Sequence, residues 1–105
     1  MIDWARVDEL RSEIGEDGFL EVAALFVEEI AKVIESLRPG MDSNALKSDL
    51  HFVKGSAVNL GFADLAGLCA AGERQLATDE AVDTSQIIDC YKSSVIALQE
   101  KHALA

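Results

Sequence analysis

The run Gly18-Phe19-Leu20-Glu21-Val22-Ala23-Ala24-Leu25-Phe26-Val27-Glu28-Glu29-Ile30-Ala31-Lys32-Val33-Ile34-Glu35-Ser36-Leu37-Arg38-Pro39-Gly40 places large apolar residues at steps of three and four. Phe19, Val22, Phe26, Ile30, Val33 and Leu37 therefore share one stripe of an α-helix. A stripe kept up for about five turns is the seam of a helix packed lengthwise in a bundle. Pro39-Gly40 ends it.

The same pattern continues on both sides. Upstream, Asp3 is a good N-cap for a short helix over about 3–14, with Trp4, Val7, Leu10 and Ile14 inward and a stop near Gly15. The seam helix itself spans about 18–38. A third helix, about 43–60, opens at Asp42 or Ser43 and turns Leu46, Leu50, Val53, Ala57 and Leu60 inward. Gly61 closes it as a left-handed C-cap. A fourth, about 63–78, carries Leu65, Leu68, Cys69, Gly72 and Leu76. After a polar loop over 78–82, Asp83 and Gln86 read as a capping box for a last helix over about 84–102, with Ile87, Ile88, Tyr91, Val95 and Leu98 inward. No run alternates as a surface strand does, and no repeat or linker interrupts the chain. The expected fold is all-α: an antiparallel four-helix bundle with an additional short N-terminal helix laid across one end, as one domain over 1–105.

Composition agrees and narrows the partners. The chain has 105 residues, half of them hydrophobic, which suits a single modest core. Nineteen acidic residues against nine basic ones give a net charge of −10, so neither nucleic acid nor an anionic membrane is expected as a partner. Met1-Ile2-Asp3-Trp4 has no basic or apolar leader character, and the expected location is cytoplasmic, as a monomer. Cys69 and Cys90 lack CxxC spacing and read as small core residues.

One stretch does not fit a purely structural reading: His51-Phe52-Val53-Lys54-Gly55-Ser56-Ala57-Val58-Asn59-Leu60-Gly61. On a wheel of about 100° per residue His51 falls more than about 100° from the inward sector, so it should face solvent. Lys54 lies toward the core edge beside it. Gly55, Val58 and Phe62 share the His51 stripe, and Lys47 is one turn before. A solvated helix face would carry Glu and Lys rather than glycine, valine and phenylalanine, so this surface suits docking. Gly55 costs about 1 kcal/mol in a helix, and access to His51 is the reason argued for it. The cations suit an anion. A neutral imidazole attacks phosphorus with one nitrogen while the other holds a proton toward an acceptor. Glu73, on the flank of the next helix, could supply that acceptor across the helix pair.

These residues, His51-x-x-Lys54-Gly55-Ser56-x-x-x-Leu60-Gly61 with Leu65-x-x-Leu68-Cys69 and Glu73, resemble the histidine-containing phosphotransfer (HPt) domain of bacterial multistep phosphorelays. The resemblance implies a four-helix bundle whose exposed histidine, His51, takes a phosphoryl group from one receiver-domain aspartate and passes it to another. It further implies that Lys54 neutralises phosphoryl charge, that Gly55 leaves room for the receiver, and that Glu73 orients the imidazole through Nδ1–H. The implied partners are response-regulator receiver domains and hybrid histidine kinases. Ala57 stands where a second serine is common, and Phe62 where a small residue is common, so Phe62 bears on which receivers fit.

The chain has no GxxxxGK[ST] loop, no kinase-type glycine loop and no acidic cluster for a nucleotide-bound metal. It is therefore expected to be a phosphoryl carrier and not an enzyme, without a cofactor of its own, the Mg²⁺ being expected on the receiver. Two alternatives remain at this point: a helical interaction module never phosphorylated, and a phosphoacceptor domain fed directly by a chemotaxis-type kinase. His102 reads as a cation favoured by a helix C-terminus, with no partners around it. Ser56 reads as a small packing residue.

Overall fold

The computed structural model describes residues 2–102. Among them stand four helices, α1 (Trp4–Ser36), α2 (Ser43–Leu60), α3 (Ala63–Ala77) and α4 (Thr84–Lys101), and no strand. Side chains cap three of the four starts: Asp3 accepts from the Arg6 N–H, Asp42 from Ala45 and Asp83 from Gln86. Each satisfies a backbone donor that the first turn cannot pair internally.

The short N-terminal helix and the seam helix are one element with a single break. Gly15, at φ 78° and ψ 166°, interrupts the helical backbone, and the helix resumes at once rather than at Gly18. The first part of α1 lies over the turn between α2 and α3: the Asp3 N–H donates to Gly61 O at 2.7 Å, and the Arg6 Nε–H donates to Asn59 O at 3.0 Å. Those carbonyls, at the open end of α2, thereby gain partners. Ile14 does not turn inward. It is 41% exposed in the last turn before Gly15, where the break takes it away from the core.

The core runs the length of the bundle, built from Phe19, Ile30, Leu50, Val53, Leu60, Leu65, Ile87 and Leu98, all at most 1% exposed. α1 and α4 are tied by Tyr91, whose hydroxyl donates to Val27 O at 3.2 Å. α2 and α3 pack closely enough that a Cβ on Gly72 would sit 2.7 Å from Leu50 Cδ1. Gly61 closes α2 at φ 89°, and a Cβ there would meet Asp3 O at 2.9 Å, so the turn needs glycine on both counts.

Phe62 is wholly buried, which corrects its expected place on the docking surface. The left-handed Gly61 ends the α2 wheel, so residue 62 does not continue the His51 stripe. It becomes the N-cap of α3, and its ring enters the core. Its expected role is therefore stability. Phe62→Ala should cost about 3–5 kcal/mol and lower the Tm by more than about 10 °C in a thermal melt. An unchanged Tm would place the ring outside the core.

His102 is also corrected. It caps α4 in extended backbone and is buried, its ring 5.2 Å from Phe19 in an edge-on contact and 6.4 Å from Trp4. The neighbours come from the far end of the chain. Lys101, next to it, lies over the Trp4 ring at 4.4 Å.

Candidate functional site

The bundle brings one exposed imidazole against one carboxylate. His51, in the middle of α2, has a side chain 75% exposed; Glu73, on α3, is only 16% exposed. Their meeting follows from the helix packing. Gly72 lets α3 close on Leu50, and the next residue of each helix, Glu73 and His51, then stand beside one another. His51 Nδ1 is 3.0 Å from Glu73 Oε1.

The second oxygen of the same carboxylate takes Lys54: Nζ lies 2.5 Å from Oε2. The Lys54 ammonium, first, and His51 after it hold the Glu73 carboxyl below its ordinary range, against the opposing effect of burial. Glu73 is thereby held toward its anionic form. An ionised carboxylate only accepts, so the hydrogen on this pair sits on Nδ1 and the Nε2 lone pair is left for chemistry. Lys54 is engaged with the carboxylate and not directed at open solvent.

Around the imidazole the surface is open. A Cβ on Gly55 would find nothing within 4 Å, Val58 is 57% exposed, and Lys47 is exposed one turn before His51. Ser56 is buried on the other side of α2, away from the ring. The structure adds Phe52, which the wheel had not singled out. It is 44% exposed and, with Val33, Glu29, Lys32, Ser48 and Asp49, lines a groove between α1 and α2. Its signal in the sequence was an aromatic residue lying off the inward stripe, directly beside the histidine.

Neither thiol belongs to this chemistry. Cys69 is fully buried, and burial pushes its thiol up to about 12, far from the thiolate that a ligand or nucleophile needs. Burial raises Cys90 also. Among the described residues, no three His, Cys, Asp or Glu side chains converge as metal ligands would. No described helix is both long and apolar enough to cross a membrane.

Compared with known proteins, residues 21–101 match the sequence model of a family described as the Hpt domain. No curated protein matches. No solved structure matches.

Proposed function

The chain belongs to the Hpt domain family, whose members carry phosphoryl groups on histidine in phosphorelays, and from that premise we propose that His51 is the phosphoacceptor. The observation that carries the assignment is the Nδ1 contact to Glu73 on an otherwise open imidazole. In the proposed step Nε2 attacks the phosphorus of a receiver's aspartyl phosphate. The N–P bond forms, the bond from phosphorus to the aspartate oxygen breaks, and the carboxylate leaves with its electron pair. The Nδ1 proton stays where it is, donated to Glu73, and the positive charge that grows on the ring is met by that carboxylate. The reverse step delivers the group to a second receiver. The divalent cation belongs on the receiver, beside the aspartyl phosphate.

Lys54 has two parts to play in this reading. At rest it shares Glu73 with His51; once a phosphoryl group is on Nε2, a dianion competes for the ammonium. Lys54→Ala removes a charge-assisted hydrogen bond of about 1.5–3 kcal/mol, so transfer should slow by about ten-fold or more. Single-turnover transfer at saturating receiver measures it. A rate equal to that of the wild type would leave Lys54 as a helper of Glu73 only.

Gly55, Val58 and Lys47 are proposed to meet the receiver. Incubation with phosphorylated receiver domains, and separately with a histidine kinase's ATP-binding catalytic domain, tests the whole reading. Acid-labile, alkali-stable label taken from a receiver supports it. Label taken only from the kinase domain favours a chemotaxis-type acceptor, and no label from either leaves a pure binding module.

A further inference from the structure

Glu73 supplies more than the resting ring of His51 requires. To hold the proton on Nδ1 and leave the Nε2 lone pair free, a side chain on α3 need only accept a hydrogen bond, and a glutamine carbonyl would accept one equally. A full carboxylate stands there instead, 16% exposed, with one oxygen for each cation. Oε1 lies 3.0 Å from His51 Nδ1, and Oε2 takes the Lys54 ammonium. Carboxylate and amide differ in their effect only once the histidine is phosphorylated.

With phosphorus on Nε2 the ring has two forms. Keeping its Nδ1 proton, it is cationic, the N–P bond is weak, and a neutral imidazole leaves when that bond breaks. Stripped of the proton, the ring is neutral and Nδ1 becomes an acceptor; breaking N–P would then expel an imidazolate, a poor leaving group. An ionised carboxylate donates nothing. Against a bare Nδ1 it would oppose one lone pair to another, whereas against Nδ1–H it keeps a charge-assisted bond. Lys54 bears on the same choice, because its ammonium holds the Glu73 carboxyl below its ordinary range and so leaves the shared proton on the ring. A glutamine could turn its amide and donate to the bare nitrogen, favouring the durable form.

We propose that the carboxylate of Glu73 keeps the phosphorylated ring of His51 protonated at Nδ1, and so makes this phosphohistidine a short-lived intermediate for onward transfer rather than a store. The inference rests on His51 being the phosphoacceptor. On discharge the N–P bond breaks, its electron pair returns to Nε2, and the phosphoryl group passes to a receiver aspartate or to water. The Nδ1 proton stays on the ring throughout. Glu73 is a positioning residue in this step, acting through the imidazole.

Phosphoramidate can load the full chain without a partner protein. Nitrogen NMR of the phosphorylated wild type should show Nδ1 with its proton attached. A bare Nδ1 would overturn the proposal, and this reading stands even if a variant fails to fold. Glu73→Gln should keep the resting Nδ1–H, and its phosphohistidine should outlast that of the wild type roughly ten-fold at the same mildly alkaline pH, the scale of one charge-assisted hydrogen bond. Transfer from the loaded variant to an unphosphorylated receiver should slow as well. A half-life equal to or shorter than that of the wild type would overturn the role given to the carboxylate. Failure of phosphoramidate and of every phosphorylated receiver to label His51 would instead overturn the proposed function, and this inference with it.

Discussion

His51→Gln is expected to abolish phosphoryl acceptance completely and to leave the fold as it is. The loss follows because an amide has no nitrogen lone pair able to attack phosphorus, and the only other imidazole among the described residues, His102, is buried against Phe19 and Trp4. The tolerance follows from exposure. His51 contributes one contact, to Glu73, with three-quarters of its side chain in solvent, and substitutions at such positions stay within about 0.5 kcal/mol. Glutamine also keeps an N–H donor within reach of the carboxylate. Radiolabel from a phosphorylated receiver, followed through acid and alkali, reads the first effect, and a thermal melt reads the second. A labelled variant would move the acceptor elsewhere. A melt lowered by more than about 5 °C would mean that the ring carries structural weight that the open geometry does not show.

Much of the arrangement around His51 is legible in local sequence patterns. The stripes within single helices and the caps at Asp3, Asp42, Asp83 and Gly61 depend on neighbours three or four residues away, and such local patterns are written in the chain. The outward direction of His51 came from the same periodicity. The pairing with Glu73 needed one more step, that α2 and α3 be adjacent and antiparallel, which a two-residue connection at Gly61-Phe62 all but imposes. What differs from the local pattern is set by non-local contacts. A helical wheel drawn through Gly61 puts Phe62 on the His51 stripe, but the left-handed glycine resets the direction of every later side chain. His102 looked solitary because Phe19 and Trp4, which enclose it, stand more than eighty residues earlier. The engagement of Lys54 with Glu73 was also hidden, since spacing tells which groups are near and not which partner wins.

Gly55→Gln separates access from chemistry, and is expected to lower transfer from receivers by about a hundred-fold, the scale of loss when reacting atoms are held out of place. The Cβ vector of a helical residue leans toward the helix N-terminus, so a side chain at position 55 covers the turn that holds His51. A Cβ there meets nothing within 4 Å, so glutamine enters without strain and projects into the space a partner would use. Replacing a mid-helix glycine also recovers up to about 1 kcal/mol of helix propensity, so the variant should melt at the same temperature or slightly higher. The nucleophile, its hydrogen bond to Glu73 and Lys54 remain untouched. A small phosphodonor such as phosphoramidate, which needs no docking surface, should therefore label the variant at the wild-type rate. These three readings must diverge together: a stable protein, normal labelling by the small donor, and failed transfer from a receiver. Undiminished receiver transfer would refute the access argument, because a glycine that can be filled without cost to docking has no reason to stand one turn from the histidine. Loss of labelling by both donors would locate the damage at the imidazole itself, and the notch at Gly55 would then be serving the geometry of His51 rather than the approach of a partner.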